Sequence, residues 1–377
     1  METTSLTPFL KSIVEPWYRS LTNPKAAQEE TLGKLVELYA KTDYGRKSGA
    51  DDAKNLEEFQ HRVPVVNYTQ LLPYFARVRG GDHSALLAEP VERWVMTRGT
   101  TGTPKIVPTT RTHLAQILMV GARAIINFAL KRGEMEVLQG HVLNLNFPSE
   151  VAKLHTPAGE ETYGYSSGTY AKLNPELGPA RLVPKQEEID TLGGGTTEKD
   201  WENRFELVYQ KARGVAVKSV IGVTPVMTAF ARHVKRVHHV FPRDLWKLKG
   251  LFCTSVPKIQ TKYAPTLRHY FGNVPVVEMY TATEGVFAQQ LDDYPYVCPN
   301  YDSYLFEAKT RRGMMMLYDM KPGEWGRIVV STPLFPRYDI GDMVEAMGKG
   351  YFRIFGRANK RTVLEHVFYN VLAGKFL

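Results

Sequence analysis

The pattern of hydrophobic and polar positions divides the chain into a helical N-terminal part, a run of alternating strands and helices, and a tail of short strands. In the first hundred residues, Asn23 and Pro24 form a typical helix start, and apolar residues from Leu32 to Tyr39 recur at helical spacing. We expect this helix to close at Asp43 to Gly45. The segment from Phe59 to Phe75 is expected to lead into an irregular stretch interrupted by prolines.

From Trp94 onward, strand-like and helix-like segments alternate, which predicts a parallel α/β sheet with helices packed on it. The predicted strands are Trp94–Thr97, Lys105–Pro108, His141–Phe147, Val215–Val223, Leu248–Thr254 and Pro275–Met279. The predicted helices are a long one after Thr110, then Glu198–Arg213, Thr224–His238 and Lys258–Phe271. The region between Phe147 and Gly195 is rich in Gly, Ser and Pro, and we expect its last three glycines, at 193–195, to form a flexible turn.

Beyond Gln289 the pattern changes to short strands, which indicates a small barrel or sheet appended to the α/β core. The predicted strands are Tyr304–Ala308, Met314–Tyr318, Gly326–Ser331 and Met343–Ala346. We therefore expect a helical part over residues 1–95, an α/β core with the binding loops over 96–290, a β-rich subdomain over 291–357 and a short tail over 358–377.

Composition and charge narrow the class of protein. A chain with 43% hydrophobic and 23% charged residues is globular rather than disordered or coiled coil. Lys and Arg exceed Asp and Glu by 48 to 39, and the resulting charge of +9 suits an anionic small molecule. A nucleic-acid partner is not expected, because the longest basic cluster, His233 to His239 (HVKRVHH), is short. That cluster is predicted to be a solvated helix face.

Cysteine content and hydropathy predict a reduced, cytoplasmic protein without a membrane anchor. Two cysteines, Cys253 and Cys298, are too few and too far apart for a disulfide framework or a four-ligand zinc site. The start, Met1 to Trp17, carries three charged residues and lacks the apolar core of a secretory signal. The most apolar segment, Leu114 to Leu130, contains three strongly polar residues, so it is predicted to be a buried helix rather than a membrane span.

The segment with the most chemical information is Thr97 to Pro108, TRGTTGTPKIVP. Gly99 and Gly102 flank threonine hydroxyls, and Lys105 follows. Backbone N–H groups and hydroxyls of such a loop donate to phosphate oxygens, while the lysine supplies a mobile positive charge. The P-loop pattern is excluded, because a proline precedes the lysine and an isoleucine follows it. Taken alone, a phosphate-binding loop and a polar hairpin turn explain this segment equally well.

Two later segments bring carboxylates close to hydroxyl and aromatic groups. Tyr280 to Gly285 (YTATEG) follows the apolar strand that is predicted to end at Met279, and α/β proteins bind ligands just past the carboxyl ends of their strands. Arg337 to Asp342 (RYDIGD) offers a carboxylate in a turn, able to accept hydrogen bonds from both hydroxyls of a ribose. Each segment alone is also compatible with an ordinary turn.

Together and in this order, the three motifs resemble those of the adenylate-forming (ANL) superfamily. The chain is most similar there to the Gretchen Hagen 3 acyl-acid amido synthetases, and the likeness extends to LTPFLKSIVEPWYRSLTNPK near the start and YFRIFGR near the end. The resemblance implies an ANL-type N-terminal domain of parallel α/β layers with a small β-rich subdomain. It also implies that the family's C-terminal lid domain is absent or truncated here, with residues 358–377 as a truncated hinge or tail.

The resemblance further implies roles for individual residues. Four residues of the Gly/Thr loop match positions that hold the ATP phosphates: Thr100, Thr101, Gly102 and Thr103. In the second motif, Tyr280 matches an aromatic residue that packs on adenine, Thr283 a hydroxyl residue at the α-phosphate and Glu284 a Mg²⁺ ligand. Further along, Asp342 matches the carboxylate that binds the ribose, and Arg357 a basic residue near the hinge. Lys105 is the implied phosphate contact, so Lys105 and Glu284 are the implied catalytic residues, and ATP and Mg²⁺ the implied cofactors.

The implied reaction activates a small carboxylic acid with ATP as an acyl-adenylate and then conjugates it to an amino acid. Two alternatives stay open: an acyl-CoA or acyl-protein ligase, and a nucleotide- or acyl-acid-binding protein without turnover. By analogy, the acyl pocket lies between the long helix and Val220 to Met227, with His155 and the loop from Tyr163 to Tyr170 as further lining. The specific acid, the amine and the oligomeric state stay open.

Overall fold

A computed structural model describes residues 3–99, 103–174, 176–177 and 180–376 of the 377-residue chain. Its α-helices are, in chain order, α1 (Thr3–Thr22), α2 (Pro24–Tyr39), α3 (Asp43–Ser48), α4 (Leu56–Arg62), α5 (Tyr68–Arg79), α6 (Arg111–Arg132), α7 (Ser166–Leu173), α8 (Gln186–Asp190), α9 (Glu198–Ala212), α10 (Thr224–His238), α11 (Pro242–Leu245), α12 (Ala264–Phe271) and α13 (Lys360–Phe376).

The strands form three sheets. In chain order they are β1 (Arg93–Met96), β2 (Ile106–Thr109), β3 (His141–Asn144), β4 (Ala152–Thr156), β5 (Gly159–Tyr165), β6 (Glu176–Leu177), β7 (Ala180–Val183), β8 (Val217–Val223), β9 (Gly250–Thr254), β10 (Val276–Ala282), β11 (Gly285–Gln289), β12 (Cys298–Pro299), β13 (Leu305–Thr310), β14 (Gly313–Met316), β15 (Trp325–Ser331), β16 (Tyr338–Gly348) and β17 (Tyr351–Arg357). The sheet orders are β2-β1-β5-β4, β12-β11-β10-β9-β8-β3-β7-β6 and β14-β13-β15-β16-β17.

The eight-stranded central sheet is the predicted α/β core. Its inner strands β10, β9, β8, β3 and β7 are all paired in parallel, and antiparallel strands flank them on both sides. One apolar cluster packs α9, α10 and α12 against this sheet, and a second, larger cluster contains α6 and the C-terminal sheet. Strands buried on both faces are expected where helices cover a parallel sheet, so the α/β prediction is confirmed.

The C-terminal sheet, β13 to β17, is antiparallel throughout, which confirms the β-rich part expected after Gln289. Helix α2 packs against it through buried polar contacts. The Gln28 side chain donates to the carbonyls of Tyr301 and Tyr304 at 2.8 and 2.7 Å, and Thr31 donates to Tyr301 at 2.8 Å. The N-terminal helices therefore belong to the same packed body as the last sheet.

Several predicted elements are wrong in detail in the N-terminal half. Asp43 begins α3 instead of closing α2, because Thr42 acts as an N-cap whose hydroxyl accepts from the Gly45 N–H at 2.9 Å. Helices α4 and α5 occupy the segment that was expected to lead into an irregular stretch, and α5 starts with a capping box between Asn67 and Gln70 that outweighs the internal proline. The region 148–195 is also structured, with the β4–β5 hairpin, α7, β7 and α8.

Two predicted motif positions are wrong as well. The strand expected to end at Met279 continues to Ala282, so Tyr280 lies within β10 rather than beyond it. RYDIGD was expected to be a turn, yet Tyr338 to Asp342 belongs to β16. The exception to a regular strand is Gly341, whose φ of +85° bends the chain locally. The backbone hydrogen bonds of the sheets therefore fix the positions from which Tyr280 and Asp342 project.

Within the described part of the chain, α6 is the one helix that is long and apolar enough to cross a membrane, judged by length and composition alone. Of its most apolar window, 61% is buried inside the protein, as in a core helix. Its buried arginine has internal partners: Arg123, 1% exposed, forms a bidentate pair with Asp302 at 2.5 and 2.8 Å and also donates to Asn300. The prediction of a buried helix agrees with this packing.

A buried ion pair fixes the start of β16. Arg337 and Glu307 are 4% and 1% exposed, and the guanidinium bonds both carboxylate oxygens at 2.9 and 2.8 Å. Arg337 also donates to the backbone carbonyls of Gln60 and Val63 at the end of α4. The backbone of Val66 pairs with Arg337 and Asp339 next to it. Two sheet strands and the N-terminal helices thus converge on one side chain.

We expect Arg337→Met to lower the free energy of unfolding by about 3–5 kcal/mol, because Glu307 would stay buried without its cation. Urea denaturation measures this change, with the exposed Lys34→Ala as a control that should leave the midpoint unchanged. The double variant R337M/E307M should recover part of the loss. A loss below about 1 kcal/mol in R337M would show that the pair does not stabilise β16.

Candidate functional site

Residues from the second and third motifs meet in one crevice between the central and C-terminal sheets. The hydroxyl of Tyr280, in β10, donates to Oδ2 of Asp342, in β16, at 2.8 Å. Arg357, at the end of β17, places Nη1 3.1 Å from Oδ1 of Asp342 and donates to the carbonyl of Ile340 at 2.8 Å. Both oxygens of Asp342 are thereby oriented, and each keeps lone-pair capacity for a further donor.

Residues from the first motif reach the same crevice. Nζ of Lys105 lies 3.3 Å from the hydroxyl of Tyr338 and 5.4 Å from the ring centre of Tyr68. The Tyr338 hydroxyl also interacts with the carboxylate of Glu284, in the turn between β10 and β11, and burial and this interaction both raise the pKa of Tyr338. Lys105, Tyr338 and Glu284 therefore form a chain of contacts that joins all three sheets.

The ends of the Gly/Thr loop are closed by hydrogen bonds. The Thr97 N–H donates to the Lys105 carbonyl at 2.9 Å, and the Lys105 N–H donates to the Thr97 hydroxyl at 3.0 Å. Thr103 is exposed at the beginning of the return strand. Thr100, Thr101 and Gly102, which were predicted to contact phosphate, lie outside the described residues. The base of the loop is thus a hairpin that points Lys105 into the crevice.

The two crevice carboxyls are held at elevated pKa by burial. Burial raises the pKa of Glu284, which is 5% exposed, although the nearby charges of Lys105 and Arg357 act against this. Burial also raises the pKa of Asp342, against Arg357 and Lys105. Because the same two cations act on both carboxyls, the clusters form one electrostatic site.

A second arginine faces the same space. Burial lowers the pKa of Arg98, and the like charge of Arg357 lowers it further. Two guanidinium groups that repel each other across a crevice favour an anion between them. The sequence prediction missed Arg98, even though it sits inside the Gly/Thr motif, because the motif was interpreted through its glycines, hydroxyls and lysine.

Hydroxyl groups surround Thr283. Its hydroxyl lies 3.1 Å from the Ser166 hydroxyl, and its carbonyl accepts from the Tyr170 hydroxyl at 3.0 Å. The end of the Tyr163 to Tyr170 segment therefore reaches the crevice as expected. His155 does not, since its side chain is 78% exposed on β4, where Glu160 lies 3.7 Å away.

A histidine that the sequence did not single out lies next to this group. His113, on α6, is fully buried, and burial lowers its pKa to about 4, although the nearby backbone of Thr283 favours the charged form. Neither ring nitrogen makes a hydrogen bond of good geometry to a described residue. His113 is therefore neutral at pH 7.

RYDIGD contains two aspartates, Asp339 and Asp342, whose environments differ in the structure. Sequence analysis had no physical reason to choose one of them as the ribose ligand. Asp339 accepts from Nε of Arg327 at 2.7 Å and from the Gly341 N–H at 2.9 Å, so its carboxylate is occupied within the sheet. Asp342 faces Tyr280 and Arg357 instead. Tyr338, the other missed residue, directly precedes Asp339 in β16, and its hydroxyl lies 3.3 Å from Nζ of Lys105.

A magnesium ion fits the donor chemistry around Glu284. Among the described residues, no lysine, arginine or histidine nitrogen lies within 4 Å of this buried carboxylate, whose nearest polar neighbours include Tyr338. A carboxylate with spare oxygen lone pairs is the type of ligand that Mg²⁺ prefers. The carboxylate of Asp342 is already paired with Arg357, so Glu284 is the better ligand of the two.

Comparison with solved structures identifies the class of this fold. The chain is similar to AtGH3.15 acyl acid amido synthetase in complex with 2,4-DB, with a TM-score of 0.76, 16% identity, and coverage of 93% of this chain and 71% of that one. It is also similar to 2-hydroxyisobutyryl-CoA ligase, with a TM-score of 0.61, 18% identity, and coverage of 87% and 74%. The fold is that of the adenylate-forming enzymes.

Sequence comparison finds a family match in the first half of the chain. Residues 16–196 match the GH3 family N-terminal domain. Indole-3-acetic acid-amido synthetase GH3.8 of Oryza sativa subsp. indica is 40% identical over 90 residues, or 23% of this chain and 15% of that protein. The matches to the first two curated relatives thus span only 15% and 22% of their lengths. The family match therefore covers the N-terminal part of this chain.

We expect Glu284→Gln to stabilise the protein at pH 8 but not at pH 4. The raised pKa means that the folded state keeps the proton more tightly, so stability from this carboxyl is present below pH 4.5 and is lost as the pH rises through the folded pKa. Glutamine removes that loss. Urea denaturation at both pH values measures the difference, and the exposed Glu30→Gln should show none. An equal effect at both pH values would contradict the assigned cause.

Proposed function

We propose that the crevice binds ATP and activates a carboxylic acid as its acyl-adenylate. The observation that carries this proposal is the convergence of Lys105, Glu284 and Asp342 in one space, through the contacts of Tyr338 and Tyr280. The three motifs come from three sheets, so this convergence is a property of the fold. The arrangement supports a ligand that carries phosphates at one end and a sugar at the other.

Each group has a role that follows from its chemistry. Asp342 accepts from the ribose hydroxyls, and its bonds to Tyr280 and Arg357 fix its oxygens before the ligand arrives. Lys105, with the loop residues Thr100, Thr101, Gly102 and Thr103, contacts phosphate oxygens. Thr283 donates to the α-phosphate. Lys105 and Arg357 also neutralise negative charge that develops on phosphorus and on the pyrophosphate leaving group.

The reaction requires a weak nucleophile, a carboxylate, to approach an anionic phosphate. Arg98 and Arg357 reduce this repulsion through their shared positive potential in the crevice. Mg²⁺ held by Glu284 would supply additional charge neutralisation at the phosphates when it is bound. The carboxylate oxygen attacks the α-phosphorus, the bond to pyrophosphate breaks, and the products are acyl-adenylate and pyrophosphate.

The acceptor in the second step is proposed to be an amino acid, as the names of the GH3 relatives state for those proteins. The similar fold of a CoA ligase keeps a thiol acceptor as the alternative. Three residues from the segment considered for the acyl pocket are buried in the apolar cluster packed on the central sheet, namely Val220, Val223 and Met227. Their packing there favours a role in the hydrophobic core over a role in lining a pocket. The cytoplasmic location stays a prediction.

We expect Lys105→Ala and Glu284→Ala each to lower the rate of ATP–pyrophosphate exchange by at least about 100-fold, because each removes one preorganised charge contact to the phosphates. A panel of aryl and fatty acids identifies the substrate first. Lys34→Ala, on the exposed face of α2, should leave the rate unchanged. Exchange at the wild-type rate in either crevice variant would remove that residue from the mechanism.

Product analysis then separates the acceptors. Mass spectrometry after incubation with amino acids, with CoA, or without an acceptor should reveal an amide product only in the first case. A thioester would favour the CoA ligase alternative. ATP binding without any exchange would instead favour a binding protein without turnover.

A further inference from the structure

A group of metal-ligating side chains lies far from the crevice, between α9 and α10. Glu206 is on α9, and His233 and His238 are on the last two turns of α10. One ligand atom from each of them lies within 4.8 Å of the other two. The basic cluster HVKRVHH was predicted to be a solvated helix face, but His233 is only 7% exposed. Two of its histidines therefore turn towards the neighbouring helix.

The distances match those of a zinc coordination sphere. Nε2 of His238 and Nε2 of His233 lie 2.8 and 3.7 Å from Oε2 of Glu206. Zinc bonds to histidine nitrogen and carboxylate oxygen are about 2.0–2.2 Å, so ligand atoms on a tetrahedral ion lie about 3.3 Å apart. The two observed distances lie on either side of this value, and small side-chain rotations suffice to equalise them.

The buried histidine points to a missing ligand. Neither ring nitrogen of His233 has a hydrogen-bond partner among the described residues, because 3.7 Å to Glu206 is too long for a hydrogen bond. Buried polar groups in folded proteins are nearly always satisfied. An ion between His233, His238 and Glu206 would satisfy the nitrogen that faces the carboxylate.

Neighbouring groups already hold the other two ligands in place. The amide of Gln210 donates to Oε1 of Glu206 at 2.6 Å, which leaves Oε2 directed at the histidines. The ring of His238 stacks on Tyr209, with ring centres 3.6 Å apart and planes at 15°. Hydrogen bonds that orient ligating carboxylates in this way are typical of metal sites.

We propose that Glu206, His233 and His238 bind a Zn²⁺ ion that joins α9 to α10, with water at the fourth position. Two imidazoles and one carboxylate suit zinc and exclude Mg²⁺, which requires oxygen ligands. The positive charge of Arg236 nearby does not prevent binding, since Glu202 pairs with it at 2.6 Å.

This site is independent of the crevice. The first residue of α10, Thr224, donates to the carbonyl of Thr254, whose hydroxyl is hydrogen-bonded to Thr281, the neighbour of Tyr280 in β10, whereas His238 is the last residue of the helix. At 1.5 Å per residue, the two ends lie about 21 Å apart. The ion therefore contributes to packing of the two helices rather than to chemistry on the nucleotide.

Zinc titration of the whole chain tests the proposal. After removal of metals with a chelator, the wild type should bind one Zn²⁺ in competition with a colorimetric indicator, and Zn²⁺ should raise the thermal midpoint of the wild type but not that of E206Q. Glu206→Gln and His238→Ala should each weaken Zn²⁺ binding by at least about 100-fold. His239→Ala, which removes the exposed neighbouring histidine, and Glu284→Gln, in the crevice, should bind as the wild type does.

Cobalt gives an independent readout. Co²⁺ in place of Zn²⁺ should produce visible absorption in the wild type and in H239A, and this absorption should disappear in E206Q. Circular dichroism confirms folding, and E206Q, which keeps the side-chain shape, decides the matter if H238A does not fold. A wild type that binds no Zn²⁺, or equal binding in E206Q, would overturn the proposal.

Discussion

The buried pair between Arg337 and Glu307 is the interaction on which the geometry of the crevice depends. It connects β13, the start of β16 and the end of α4, and its two groups have almost no access to water. Tyr338 and Asp342 lie one and five residues further along β16, so their positions follow directly from this pair. A charged pair in this setting costs desolvation free energy, and its contribution here is to define where a strand begins.

The crevice combines residues whose charges destabilise the protein in the absence of a ligand. Glu284 and Asp342 are buried acids, and Arg98 and Arg357 repel each other. Such strain is common at functional sites, where residues are arranged for a ligand rather than for stability. The neutral His113 and the hydroxyls around Thr283 add donors without adding charge. The site is thus more polar than folding alone would require.

The sequence predicted four strands of the central sheet, namely β3, β8, β9 and β10, and it placed α10 at its observed ends. In the N-terminal part, Asn23 caps α2 as expected. Periodicity failed where capping decides the structure, as at Thr42 and Asn67. The resemblance was enough to select the motif residues. Tyr338 and Arg98, in contrast, matter because of partners more than 200 residues away in the sequence. Tyr338 contacts Lys105, and Arg98 is close enough to Arg357 to feel its charge. Local sequence carries no information about such pairs.

The hydrogen bond between Tyr280 and Asp342 joins strands from two different sheets. The same two sheets would hold opposite ends of a bound nucleotide, so the alignment of the sheets sets the spacing between its sugar and its phosphates. Substitutions in the packing between the sheets, distant from any ligand atom, would then shift all nucleotide contacts together. Affinity would respond as a single collective property rather than contact by contact.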